Sequence, residues 1–445
     1  MSEISNVILL SVDALRADHL SSHGYERETS PEIDALAARG TQFMNAFSAS
    51  SHTREAVPSL LTGRRPSVFA EGGYRLVTES LASRLSKQDF STAAFHSNPY
   101  VSRAYGYGDA FDTFDDDLLY GRNRFAALAQ RVLDKFVFNR GAYHARADEI
   151  NERSLEWLDS RAATEPFFLW NHYMDVHGPY NPPEEYSVYT EQSLSNNEAQ
   201  RLYQKSIDEP DEITAHEREL LIDLYDGEIR YLDAQISAFV EALADRELLS
   251  ESLVIITADH GDGFGEHGYY AHPRYVYNDL LAVPIVLLGN SVSAGRVETA
   301  VSTLDIVPTA LEALGVDVDD KLPGQSLLST VADDGEMQRS VISSAQGEDE
   351  ASNVRRFAIQ DGRFKYILDR DAETNTVNGW QAFDCKDDPQ EQDSFSQQQF
   401  PETIVDFQSE LEAHSKNIGS EVDINESEED ASHEVEQRLK NLGYK

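Results

Sequence analysis

The sequence predicts an α/β fold: a doubly wound sheet with helices on both faces, followed by a small antiparallel unit. Three observations predict it. Compact apolar runs recur as buried strands: "NVILLSV" at 6–12, "PFFLWNHYM" at 166–174 and the start of "SLVIITADHG" at 252–261. Helical segments separate these runs. After residue 335 the pattern changes to a hairpin, with Asp361-Gly362 as its turn.

The elements follow in order. The run at 6–12 is β-branched and closes on Asp13, so it reads as a buried strand of a parallel sheet. "SPEIDALAARG" has Ser30 as N-cap, Pro31 at the first helical position and Gly40 as the stop. "FSTAAFHSN" reads as a strand and then a loop, and the strand at 166–174 ends in polar His and Asp. From Glu219 to Leu243 apolar residues recur three and four apart, the mark of a long amphipathic helix on a sheet. "VPIVLLG" is a further strand, and "STLDIVPTALEALG" is a helix entered through Asp305. "RRFAIQDGRFKYILD" makes the hairpin, and "VNGWQAFDCKDDPQEQ" adds a strand before a turn. The chain divides into a main unit at 1–335, an antiparallel unit at 336–410 and an acidic tail at 411–445. In that tail Val435, Leu439 and Leu442 lie on one side of a short terminal helix.

Composition narrows the function classes. The 445 residues carry 79 Asp and Glu against 37 Lys and Arg, a formal net charge of -42. Such charge self-repels in dilute salt and suits a salt-rich cytoplasm, as in extreme halophiles, and a halophilic archaeal origin is expected. Without a basic block to neutralise phosphates, a sequence-blind grip on nucleic acid is excluded. The single cysteine, Cys385, rules out an internal disulfide and a multi-thiolate metal site. The first apolar run is too short for a signal peptide or a membrane span, so a soluble, cytoplasmic protein is expected.

Ligands of doubly wound sheets collect at the C-terminal ends of strands. Asp13, Asp175, His177, Asp259 and His260 all fall there. Asp13, Asp259 and His260 form a candidate hard-cation site, suited to Ca or Mg first, with Mn or Zn also compatible. Asp after a strand can also be a plain helix cap. The Asp-His pair in "TADHGDGFGEHGYYAH" is more specific, because Gly261, Gly263, Gly265 and Gly268 let the backbone wrap closely round a ligand. His19 and His267 read as structural, and Asn98 as a turn former whose amide could face the site.

In chain order, "NVILLSVDALRADHLSSHGY", "TGRRP", "HYMDVHGPYNPP", "IITADHGDGFGEHGYYAHPRYVYNDLLAVPIVL", "STLDIVPTALEALG", "DGRFKYI" and "AFDCKDDPQE" resemble the sulfatase family of the alkaline-phosphatase-like superfamily. The resemblance implies an α/β/α sandwich with a small C-terminal antiparallel subdomain. It implies that Asp13, Asp259 and His260 bind the metal, although Ala14 stands where the family often has a second Asp. It implies that His177 contacts the anionic ester near its leaving group, and that His272 lies beside the transferred group.

The nucleophile segment departs from that pattern. The family has Cys or Ser, any residue, Pro, Ser or Thr, Arg, two residues and "LxTG". Counting back from Gly63 puts the nucleophile at Thr53, with Glu55 and Val57 in the Pro and Arg places. Formylglycine is not expected, because the Thr53 β-carbon carries a methyl group. Threonine is a usable nucleophile when a metal lowers its hydroxyl pKa, and a helix N-terminus there favours an anion. Arg54 is a candidate to replace lost positive charge at the substrate. Ser50 and Ser51 are the rivals if the loop carries a gap. The function expected is metal-dependent hydrolysis of a sulfate ester or related phosphate ester on a small molecule or glycan. The alternatives are a phosphotransferase or phosphodiesterase, and a non-catalytic relative that binds anionic glycans.

Overall fold

The computed structural model describes residues 4–71, 73–117, 144–290, 292–319, 321–332, 338–347 and 353–416. The expected terminal helix, and the boundary between the two units at 335, lie outside the described residues.

The main sheet has eight strands: β1 (Asn6–Val12), β2 (Thr41–Phe43), β3 (Ser91–His96), β4 (Thr113–Asp115), β5 (Phe167–Tyr173), β6 (Ser252–Ala258), β7 (Ile285–Leu288) and β8 (Gly295–Val297). Their spatial order is β8-β2-β7-β6-β1-β5-β3-β4. The run from β6 to β4 is parallel, whereas β7 pairs antiparallel with both β6 and β2. The sheet is therefore mixed, with the expected parallel core at its centre.

Strand alternation builds a core on each face. Ile8, Leu10 and Val12 of β1 and Val254, Ile256 and Ala258 of β6 face one side. There they pack under α1 (Pro31–Ala37), α3 (Ala147–Ser160) and the long α4 (Ala215–Asp245). Val7, Leu9, Leu253 and Ile255 face the other side, under α2 (Thr53–Thr62) and α5 (Ile306–Ala313). Every residue of β1, β5 and β6 is buried, which is why these strands read as continuous apolar runs.

Ser30 stands at the N-cap position of α1 but makes no cap bond; its hydroxyl donates to Asp34 at 2.9 Å. The cap comes from α4. Asp233 accepts from the amides of Ile33 (2.7 Å) and Glu32 (3.1 Å), satisfying the orphan donors and tying two helices of one layer together.

The second unit is an antiparallel sheet of β9 (Val341–Gln346), β10 (Val354–Gln360), β11 (Phe364–Asp371) and β12 (Val377–Asp384), in that spatial order. The expected Asp361-Gly362 turn joins β10 to β11. Helix α6 (Glu402–Lys416) covers one face with Ile404, Phe407 and Leu411. The other face packs Ala358, Ile367 and Phe383 on Val276 and Leu281 of the main unit. The segment ahead of α2 is fastened here: Ser344 N donates to Ala49 O (2.9 Å) and Ser343 Oγ to Ser48 O (2.5 Å). No helix among the described residues is long and apolar enough to cross a membrane.

Candidate active site

The site forms where the central strands end. Asp13 follows β1 and Asp259 follows β6, and their amides extend the ladder by donating to Tyr173 O (2.8 Å) and Val12 O (3.1 Å). Both carboxyl groups are buried. Asp13 Oδ2 accepts from Asn98 Nδ2 at 2.6 Å. Asp259 Oδ1 accepts from the amides of Ala14 (3.2 Å) and His260 (2.8 Å). The remaining oxygens, Asp13 Oδ1 and Asp259 Oδ2, make no hydrogen bond, and neither does His172 Nε2.

His172 occupies the end of β5, with Nδ1 held by Ser11 Oγ at 2.9 Å. Its Nε2 stands 3.3 Å from Asp13 Oδ2, and the ligand-type atoms of Asp13, His172 and Asp259 lie within 4.8 Å of one another. His260 Nε2 lies 3.6 Å from Asp13 Oδ1 and 3.5 Å from Asp259 Oδ2. Burial raises Asp259 well above the usual carboxylate range, and the charge of Asp13 raises it further. Burial also opposes the charge on Asp13, but His177, His172 and His260 outweigh it and hold its pKa low. Two dry carboxylates with unshared oxygens and imidazoles at their edge fit a divalent cation, which would cancel their repulsion.

Helix α2 brings the second half. His52 is its N-cap, with Nδ1 accepting from Arg54 N at 3.2 Å, and Thr53 is its first residue. The preceding loop is pinned from below, because Ser48 Oγ donates to Asp259 O and to Ser50 O (2.6 Å). Thr53 Oγ1 consequently lies 3.0 Å from His260 Nε2. The His260 Nδ1–H donates to Gly261 O (2.8 Å), so Nε2 is the accepting nitrogen and the Thr53 hydroxyl the donor. Gly261 is required there: a Cβ would stand 2.1 Å from Asp279 O. The Ser50 hydroxyl donates to Glu55 Oε2 at 2.6 Å, whereas Ser51 Oγ makes no hydrogen bond.

Four histidines close over this centre. Ring centroids of His272 lie 4.6 Å from His260, 4.9 Å from His177 and 5.5 Å from His52. His177 Nδ1–H donates to Gly178 O at 2.7 Å. Burial lowers His177 to about 4 and His272 to about 3, the neighbouring imidazoles adding to the effect. Behind His272 stands Asp262, whose Oδ1 is 3.1 Å from its Nδ1 and whose Oδ2 accepts from the Tyr180 hydroxyl. Arg54 lies at the edge, its Cζ 3.9 Å from the ring centre of Tyr74 and 5.1 Å from that of Tyr100.

The structure therefore brings Asp13, Thr53, His177, Asp259, His260 and His272 together and leaves Arg54 on the rim. Sequence reasoning missed His172, His52 and Asp262 and left Asn98 unassigned. His172 and Asn171 were the polar interruption in an otherwise apolar strand, and that interruption was the available signal. His19 is bound to Asp226 (2.8 Å), and His267 stacks on Tyr277 with centroids 3.7 Å apart, so both have structural partners.

An α/β/α sandwich with this carboxylate and imidazole cluster at its strand ends defines an ester hydrolase of the alkaline-phosphatase-like fold. Comparison with known proteins agrees. The Sulfatase family model matches residues 5–316, and the model of the N-sulphoglucosamine sulphohydrolase C-terminal region matches residues 265–417. The chain belongs to the sulfatase family. It is 24% identical to an arylsulfatase of Clostridium perfringens, over 87% of this chain and 89% of that protein. It is 22% identical to a choline-sulfatase of Rhizobium meliloti, over 87% and 81%. The phosphonate monoester hydrolase of Agrobacterium radiobacter superposes with a TM-score of 0.73 at 20% identity, covering 93% of this chain and 96% of that one. A structure solved with its substrate D-glucosamine-2-N,6-O-disulfate superposes with a TM-score of 0.71 at 17% identity, covering 94% and 99%.

Proposed function

We propose that this chain hydrolyses sulfate esters, or related phosphate or phosphonate esters, of a small molecule or sugar, with Thr53 as the nucleophile. The observation that carries the reading is Thr53 Oγ1 at the N-terminus of α2, 3.0 Å from His260 Nε2 and beside two carboxylates with unshared oxygens. Asp13, Asp259 and His260 would hold one divalent cation, with His172 supporting them from β5; Ca and Mg suit the oxygen donors, and Mn and Zn the imidazoles. Such an ion, when bound, supplies positive charge that lowers the hydroxyl pKa and neutralises the ester.

The chain's own groups do the rest. Asn98 and the Ala14 amide fix the two carboxylates. The α2 N-terminus aims Oγ1, which His260 Nε2 holds until a cation takes that nitrogen, and the helix amides favour the anionic group. Thr53 oxygen, its proton lost to water, bonds to the central atom while the bond to the leaving oxygen breaks and its electron pair stays there. His272, with His177 beside it, takes a proton from water on Nε2, becoming an imidazolium beside the anionic ester, and passes that proton to the leaving oxygen. Water then cleaves the ester on Thr53. Arg54 meets the substrate at the rim.

Threonine favours phosphate or phosphonate as the central group, whereas the family match favours sulfate. Aryl sulfate, aryl phosphate, bis-aryl phosphate and aryl phosphonate, assayed side by side at high salt with each cation, decide between them. Metal-dependent turnover of at least one is expected. Turnover of none, with retained binding of sulfated glycans, replaces this reading by a non-catalytic one. We also propose a cytoplasmic protein of a halophilic archaeon, from the excess of acidic residues.

A further inference from the structure

We propose that Asp262, held in turn by Tyr180, is a positioning residue that aims His272 at the leaving oxygen of the ester. The inference rests on the role given to His272 above. Its basis is a continuous chain of buried polar groups: Tyr180 O–H to Asp262 Oδ2, and Asp262 Oδ1 to His272 Nδ1 at 3.1 Å. Asp262 is fully buried, Tyr180 nearly so, and His272 is 5% exposed. A carboxylate buried this deeply costs several kcal/mol unless it is paired. Among the described residues its carboxylate pairs with these two side chains, so the protein places that cost directly behind one histidine.

The geometry gives the carboxylate one use. Its oxygens accept, so Nδ1 of His272 carries the hydrogen that faces it. Nε2 then lies on the edge of the ring away from Asp262, and the ring has His260, His177 and His52 as its neighbours. A ring fixed by one nitrogen reaches a substrate with the other at little reorganisation cost. Tyr180 fixes the carboxylate itself. Its ring is boxed edge-on by Tyr203 (5.5 Å) and Tyr225 (5.4 Å), so the hydroxyl has little freedom. Tyr225 also donates to Ala14 O (2.7 Å), the residue after Asp13, so one aromatic cluster serves both halves of the site. Asp262 exchanges no proton with the substrate in this arrangement. It sets the direction of His272.

The test is a leaving-group series in the full-length protein. Rates are measured on aryl esters from good to poor leaving groups for the wild type, Asp262→Asn, Tyr180→Phe, His272→Ala and Asp262→Asn with His272→Ala, with melting curves for each. Expected is a fall in kcat of about 10- to 100-fold for Asp262→Asn, growing as the leaving group worsens, with KM changed little. Tyr180→Phe, which removes one hydroxyl and keeps the packing, gives a smaller loss with the same trend. In the His272→Ala background Asp262→Asn adds less than about 2-fold, because groups acting as one unit are not additive. A loss independent of the leaving group, or one that persists in full without His272, overturns this inference while the hydrolase reading stands. A wild type that turns over no ester overturns that reading, and this inference with it.

Discussion

The Thr53 hydroxyl donates to His260 Nε2 at 3.0 Å, and this single bond joins the N-terminus of α2 to the segment that follows β6. The two residues are distant in sequence and meet because Ser48 fastens the intervening loop to the Asp259 carbonyl. If Thr53 is the nucleophile, Thr53→Ala loses at least about 1,000-fold in kcat, while Thr53→Ser keeps activity within about 10-fold, since the attacking oxygen survives. Ser50→Ala and Ser51→Ala remain within about 3-fold. Steady-state rates on the preferred aryl ester read all four, and equal rates for wild type and Thr53→Ala sink the assignment.

The unshared oxygens of Asp13 and Asp259 predict cation binding that is measurable without turnover. Titration calorimetry of chelator-treated protein with Ca, Mg, Mn and Zn is expected to show one site. Asp13→Asn and Asp259→Asn abolish it. His260→Ala weakens it strongly, and His172→Ala by about 10- to 100-fold, as for groups that support a ligand. Undiminished binding in His172→Ala makes that histidine a packing residue of β5.

Much of this site was legible in the sequence, and the reason is chemical. Asp13, Asp259 and His260 follow continuous apolar strands, so their polarity stands out against residues that must be buried on both faces. Thr53 was reached only through the register set by Gly63, which ends α2 with φ 69°. His172 was visible only as a polar residue near the end of its strand, since nothing local shows that Nε2 comes 3.3 Å from Asp13 Oδ2. Asp262 was masked by its glycine-rich setting, since nothing local links it to His272 or Tyr180. The antiparallel placement of β7 was likewise hidden, because a strand's apolar run does not record its direction. Ser30 misled for a similar reason: a cap supplied in trans by Asp233 leaves no local trace.

Glu55, in the Pro place of the family pattern, belongs to a buried ion pair. Arg274 Nε lies 3.2 Å from Glu55 Oε1, both side chains almost wholly inaccessible, and Ser50 Oγ donates to the same carboxylate. Removing one partner leaves an uncompensated buried charge, which costs about 3–5 kcal/mol. Glu55→Ala and Arg274→Ala are expected to be destabilised by amounts of that order in urea unfolding, and the double variant by less than their sum. Additive losses mean that the two charges do not depend on each other.

Asp233 makes stability depend on pH. Burial raises its pKa to about 7 from the usual 3.8, although two amides of α1 oppose the shift. With the folded pKa above the unfolded one, the native state holds the extra proton between about pH 4 and 7. Stability is therefore greatest at the acid end of that window and falls as pH rises through it, by at most about 1.4 kcal/mol per pH unit from this group. Asp175, raised by burial to about 7, has the same sign. His177 and His272, lowered by burial, run the other way below about pH 6.5, so the readout is a difference: the melting temperature of the wild type relative to Asp233→Asn is expected to fall from pH 5 to 8, and an unchanged difference removes Asp233 as a cause.

The charge of -42 predicts a salt requirement that acts on the whole fold. In dilute buffer the Debye length is tens of ångströms, so carboxylates repel across the entire molecule; at molar salt it is about 3 Å and only near neighbours interact. Self-repulsion opposes the compact state, so stability rises as screening sets in. Exposed pairs such as Lys87–Glu79 run the other way, losing attraction in salt, but each contributes less than about 1 kcal/mol and the acidic excess outweighs them. Melting followed by circular dichroism from 0.1 to 3 M KCl is expected to show a monotonic rise. Chloride at equal ionic strength with sodium in place of potassium separates screening from specific cation binding. A melting temperature in dilute buffer equal to that in molar salt rules out the halophilic reading of this surface.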